Sequence, residues 1–164
     1  METIAYRAIG VVHSPFKELK GTPIQPTVGQ GTAGTVEIFP KYAQGLKDLD
    51  GFSHIYVLYH FHLARGNALV VKPFLDDVER GIFATRAASR PNAIGLSVVR
   101  LARVEGNILH IEDLDIVDGT PVLDLKPYVP EFDARQPERS GWLTTRLQRL
   151  PGTRDDGRFA GPPD

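Results

Sequence analysis

Glycine and proline interrupt this chain so often that long helices are disfavoured. There are 16 glycines and 13 prolines among 164 residues, about 18% against an average near 12%. Between the breaks lie apolar segments of strand length. Residues 4–13 place Ile4, Tyr6, Ala8, Gly10 and Val12 on one parity and read as a strand that stops at Ser14-Pro15. Residues 34–39 read as a second strand. Residues 53–62, Ser-His-Ile-Tyr-Val-Leu-Tyr-His-Phe-His, are the strongest strand signal, being β-branched and aromatic throughout. Residues 68–74 and 81–85 read as shorter extended pieces. Residues 95–104 and 107–113 flank Glu105-Gly106 as a hairpin. Residues 115–117 and 121–125 flank the turn Asp118-Gly119-Thr120.

Helical signals are few. Pro40 begins a short helix with Tyr42, Ala43, Leu46 and Leu49. Ser140 caps a second one, carrying Trp142, Leu143, Leu147 and Leu150 to Pro151-Gly152. Residues 16–30 form a long loop, a length usually associated with function or disorder. Residues 153–164 are polar and predict a frayed or docked tail. Seven or eight short strands close most naturally as a mainly β, antiparallel-rich barrel. Residues 1–132 form the barrel domain in this reading, and residues 133–164 a C-terminal helix and tail.

Composition narrows the chemistry. With no cysteine, the chain has no disulfide framework, thiolate metal site or cysteine nucleophile. Net charge is −1, so any nucleic-acid contact must be a local patch or be shared between subunits. No apolar run reaches the length of a membrane-spanning helix. The first residues lack a signal-peptide layout, and the expected location is the cytoplasm. Phosphate-binding loops, dinucleotide fingerprints, nucleophile elbows and His-Glu-x-x-His are all missing from the sequence.

Four segments carry candidate chemistry. His54, His60 and His62 share a parity, so on one continuous strand they share a face, as metal ligands or as packed pocket residues. Arg86 and Arg90 lie in the irregular stretch 84–97, where guanidinium groups and backbone amides suit a carboxylate or phosphate. Asp115, Asp118 and Asp124 lie close together among apolar residues and suit hydroxyl binding or proton transfer, or simple turn chemistry. Pro23-Ile24-Gln25-Pro26 marks an ordered or extended part of the long loop.

The order of these segments is more specific than any of them alone. Ile9 through Glu18, Gln25-Pro26, Phe52-Ser53-His54 through His62, Gly81 through Arg86 with Arg90-Pro91-Asn92-Ala93-Ile94-Gly95-Leu96-Ser97, and Asp115 through Tyr128 together resemble the TrmO family, also called TsaA-like or YaeB. The resemblance runs from about residue 7 to residue 130. It implies a single-sheet β-barrel methyltransferase that uses S-adenosylmethionine, needs no metal, and works as a homodimer with its cofactor near the subunit interface. The implied reaction is methylation of N6 of N6-threonylcarbamoyladenosine at position 37 of tRNA.

Carried over, the cofactor contacts fall on Ile24, Gln25 and Pro26, on His62 and Leu63, on Arg86 and Leu96, and on Asp115, Ile116, Val117, Asp118, Gly119 and Thr120. Some relatives have arginine where this chain has Ile24. Arg86 is expected at the cofactor carboxylate and Asp118 at a hydroxyl or the ammonium. Pro26, Leu63 and Leu96 are expected to wall the adenine. His62, Asp124 and Tyr128 are the expected catalytic residues, with Asp115 a further candidate to accept the proton. Arg90, Asn92 and Lys126 are the expected tRNA contacts.

Overall fold

In the computed structural model, which describes residues 2–160, six strands close an antiparallel barrel. They are β1 (Gly10–His13), β2 (Gly34–Ile38), β3 (His54–His60), β6 (Ile94–Glu105), β7 (Ile108–Glu112) and β8 (Pro121–Pro127). Around the barrel the order is β1-β2-β7-β6-β3-β8, and β8 pairs back onto β1. Two two-residue strands, β4 (Val70–Val71) and β5 (Arg80–Gly81), form a separate small ribbon. Among the described residues, helical structure is limited to one turn, α1 (Pro130–Asp133), and short 3-10 segments.

Strand alternation sends one parity inward. Ile55, Val57 and Tyr59 of β3 meet Val99 and Leu101 of β6, Val12 of β1, Val36 and Ile38 of β2, Leu109 and Ile111 of β7, and Val122 of β8 in one core. Two irregularities adjust the register, at Leu58/Tyr59 against β8 and at Leu101/Arg103 of β6. Bulges of this kind add curvature that helps a small sheet close. The β6–β7 hairpin turns at Gly106, whose φ of 60° suits a residue without Cβ.

Several expectations about elements change, among them residues 81–85, read as extended, which hold the 3-10 segment Ile82–Ala84, and the helix expected from Pro40, which is two 3-10 segments, Pro40–Leu46 and Leu49–Gly51. The first strand spans only Gly10–His13; Ile4 and Tyr6 are 73% and 72% exposed and have no ladder partner. Residues 115–117 are loop, not strand, with Ile116 and Val117 buried and Asp115 half-buried where the chain crosses from β7 to β8. The helix expected after Ser140 is two 3-10 segments, Gly141–Thr145 and Leu147–Gly152, and Ser140 makes no side-chain cap. Without that cap and with Pro151 inside, a continuous α-helix has little support.

The tail is docked. Gly21 N–H donates to the Asp155 carbonyl (2.7 Å), and Asp155 N–H donates to the Thr22 carbonyl (2.9 Å). Arg65 N–H donates to the Phe159 carbonyl (3.1 Å). Phe159 packs with Val71, Ile82 and Ala87 in a second apolar cluster. Its ring meets Phe74 edge to face at 5.1 Å. Residues 161–164 of the expected tail lie outside the described residues.

Candidate functional site

β3 and β6 deliver two polar side chains to one end of the barrel interior. Tyr59 and Ser97 occupy inward positions of otherwise apolar strands. Ser97 Oγ donates to Asp115 Oδ1 at 2.6 Å, and the Tyr59 hydroxyl lies 3.2 Å from Ser97 Oγ. Serine has one proton, and an ionised carboxylate only accepts. Ser97 therefore donates to Asp115 and Tyr59 donates to Ser97, a directed chain that ends on the carboxylate. Gly95 makes this possible: a Cβ there would overlap the Tyr59 ring.

The chain opens into a cavity of about 250 Å³, near the lower end for small-molecule sites. One wall is apolar, with Leu19, Phe61, Leu63, Leu96 and Ile116. Ile24, Gln25, His62, Arg86, Asp115 and Thr120 supply polar and loop contacts. Gln25 Oε1 accepts from the Arg86 guanidinium at 2.8 Å, fixing the two loops relative to each other. Burial pushes the Asp115 carboxyl up to about 7, against the opposing effects of Ser97 and the Arg86 charge. Asp115 nevertheless retains some accessible surface. Burial lowers His62, helped by the charge of His60, so its imidazole is neutral at pH 7. The cavity thus combines a cation, a neutral imidazole and a carboxylate poised near neutrality.

Not every expected residue meets there. Ile24, Gln25, His62, Leu63, Arg86, Leu96, Asp115, Ile116, Val117 and Thr120 line the cavity, as does Arg90. Pro26 instead lines an adjoining external groove of about 1070 Å³, shared with Ile24, Gln25, Arg86 and Leu96. Asp118 is outside the lining; it takes Lys17 at 2.8 Å and the Ser14 N–H at 2.9 Å. Lys17 holds its carboxyl below the usual range. Gly119, with φ of 78°, forms the turn itself.

The Arg90 guanidinium donates to the carbonyls of Ile82, Thr85 and Ala87, stapling the arginine loop. Asn92 is exposed, and Lys126 pairs with Asp124 at 2.9 Å on the barrel exterior. Tyr128 stacks edge-on with Tyr56 and His54, away from the cavity. The three histidines also part company. β3 ends at His60, and the chain then turns, so His62 lines the cavity while His54 faces the groove. Among the described residues no three His, Asp or Glu converge as a metal site.

Tyr59, Ser97, Asp155 and Phe159 are site residues that sequence reasoning passed over. Ser97 was visible as the single hydroxyl in an apolar β6 run, but its partner lies 18 residues on, in a loop.

A family model described as the tRNA-methyltransferase O N-terminal domain matches residues 11–134. A Pyrococcus abyssi protein named a probable S-adenosyl-L-methionine-binding protein is 56% identical over 156 residues, covering 95% of this chain and 85% of that one. The Homo sapiens protein named tRNA (adenine(37)-N6)-methyltransferase is 38% identical over 136 residues, 78% of this chain but 31% of the human protein. The crystal structure of TrmO from Pseudomonas aeruginosa matches with a TM-score of 0.72 at 39% identity, over 86% of this chain and 63% of that one. The chain therefore spans most of the archaeal relative and less than two thirds of the other two. A match over most of its length, with relatives at these identities, places the chain in the TrmO family.

Proposed function

We propose that this protein is an S-adenosylmethionine-dependent methyltransferase acting on N6 of an adenine next to a tRNA anticodon, with N6-threonylcarbamoyladenosine as the acceptor. The observation that carries this reading is the meeting of Arg86, His62 and Asp115 in one cavity with an apolar wall. That donor set suits the cofactor: a guanidinium for its carboxylate and flat apolar surface for its adenine. When bound, the cofactor supplies an electrophilic methyl group on a sulfonium.

The residues of the chain then have three tasks. Arg86, positioned by Gln25, and the backbone around Ile116 to Thr120 fix the donor. Most of the rate gain comes from holding methyl and nucleophile in line, about 3–3.5 Å apart. The acceptor nitrogen loses a proton as it gains the methyl. Neutral His62 and ionised Asp115 are two groups in the cavity able to take it. Asp124 and Tyr128, on the outer surface, serve the RNA side of the site in this reading, together with Asn92 and Lys126.

The cavity adjoins the external groove, whose lining includes Phe83 at 77% and Leu96 at 48% exposure, with Trp142 and Leu147. A second copy of the chain seated there completes a homodimer and caps the site. Sedimentation equilibrium checks this; a monomer at micromolar concentration contradicts it. A cytoplasmic location follows from a tRNA substrate.

The functional test is nucleoside mass spectrometry after incubation with cofactor and tRNA that either carries or lacks the threonylcarbamoyl group. A 14-dalton gain confined to the carrying tRNA is expected. Methylation of neither tRNA, with cofactor binding intact, assigns a different acceptor or a non-catalytic binding role.

A further inference from the structure

Asp155 lines the cavity and has no cation partner among the described residues. It belongs to the docked segment 153–160, beyond the residues matched by the family model. Its backbone is fixed on both sides by residues 21 and 22, which begin the loop that also brings Gln25 to the cavity. Its Oδ1 accepts the Gly157 N–H at 2.7 Å. The neighbouring Asp156, by contrast, takes the Arg158 guanidinium at 2.6 Å. Arg158 in turn reaches the carbonyls of Lys72 and Pro73 and lies over the Phe74 ring. Arg158 therefore anchors the segment through Asp156 and leaves Asp155 without an ion pair among the described residues. Burial pushes the Asp155 carboxyl up to about 6, with Asp156 adding to the rise and Arg158 opposing it.

The same cavity holds Arg86, whose partner is a neutral glutamine. Arg86 and Asp155, neither in an ion pair among the described residues, put a cation and, besides Asp115, a second carboxylate in one small cavity, a set that matches a zwitterion. Asp118, which the sequence offered for the ammonium, is occupied by Lys17 outside the lining.

We propose that the C-terminal segment supplies the ammonium subsite of this cavity, with Asp155 holding the α-ammonium of the methyl donor and Arg86 its carboxylate. The inference rests on the methyl-donor reading above. The alternative cation, the sulfonium, is the poorer target. Its charge diminishes on the way to the transition state, so a carboxylate held against it would stabilise the reactant more than the transition state and slow the transfer.

Calorimetric titration of the full-length protein separates the possibilities. The probes are S-adenosylmethionine, S-adenosylhomocysteine and 5′-methylthioadenosine, which lacks the amino-acid end. Wild-type protein binding none of the three refutes the methyl-donor reading itself. Given wild-type binding, Asp155→Asn is expected to weaken the first two alike, by about ten- to a hundredfold, the loss of one charge-assisted contact. Affinity for 5′-methylthioadenosine should not change. Equal loss for all three, or no loss, overturns the proposal. Loss for S-adenosylmethionine alone also overturns it and assigns the carboxylate to the sulfonium. If Asp155→Asn fails to give a cooperative melt, Asp155→Glu carries the test. Its displaced carboxylate should weaken the two ammonium-bearing ligands and spare the third; any other pattern counts against the subsite.

Discussion

Asp115 shows how one residue couples chemistry to stability. Its folded pKa of about 7 means that the ionised, proton-accepting form grows in as pH rises through neutrality. Single-turnover methylation with saturating cofactor and tRNA should therefore rise between about pH 6 and 8. Asp115→Asn should lower the rate by about 10²–10⁴-fold and leave a profile without that limb, the usual weight of a lost general base. An unchanged rate would assign the proton to His62 or to water. The stability effect has the opposite sense. The unfolded carboxyl titrates near 3.9, so between about pH 4 and 7 the folded state holds a proton that the unfolded state has lost. Stability must fall as pH rises across that window, by a few kcal/mol at most for a shift of about three units. Asp155, pushed up to about 6, adds a contribution of the same sign. Melts of wild type and Asp115→Asn at pH 4, 5.5, 7 and 8 check this. The variant should show the shallower decline.

At the scale of elements, β3 and β6 decide whether the site exists. Gly95 faces Tyr59 across their register, and Gly95→Ala must push the Tyr59 ring off the Ser97–Asp115 chain. Overpacking of this kind costs about 1–3 kcal/mol, or roughly 3–10 °C in melting temperature for a chain this long. Cofactor affinity should fall with it; an unchanged melt and Kd would show that the ring has room to move. The C-terminal elements depend on Asp76, which is 4% exposed. It receives Arg80 through two nitrogens (2.7 and 3.1 Å) and Arg146 at 3.3 Å, which hold its carboxyl down at about 2. Asp76→Ala leaves both arginines without that partner, so it should release the 3-10 segments and expose sites for limited proteolysis after residue 140. These elements also mark how far the sequence could be read. The strands were legible because inward and outward residues alternate in β3, β6 and β7 and because Gly106 and Gly119 sit at their turns. The barrel mouth was less so. Ile116 and Val117 look like strand residues but are buried by crossing the barrel end. Asp155 and Phe159 look like tail residues, and only contacts with residues 21–22 and 65–87 give them a role. Pairings across about 70 to 130 residues leave no local period to detect.

For the whole molecule, a net charge of −1 must be reconciled with the polyanionic tRNA proposed as substrate. Much of the cationic surface is already committed. Arg100 and Arg103 pair with Glu112 and Glu105, Arg80 and Arg146 with Asp76, Arg149 with Asp77, Arg158 with Asp156, and Arg90 with backbone carbonyls. The exposed pairs among these are worth little and are screened by salt, but they cancel the field that would otherwise draw RNA from a distance. A footprint built from the remainder engages few phosphates per copy of the chain. Filter binding of tRNA between 50 and 300 mM salt should therefore give a shallow logarithmic slope of about −2 to −4, corresponding to three to five phosphate contacts. Lys126→Ala should reduce that slope by about one if Lys126 exchanges Asp124 for a phosphate. A slope steeper than about −6 would mean that the arginines leave their carboxylates on binding, or that two copies of the chain grip one RNA. Removing Asp77 discriminates between those two cases. Asp77→Ala frees Arg149 in advance, so it steepens the slope only if Arg149 was held back from the RNA.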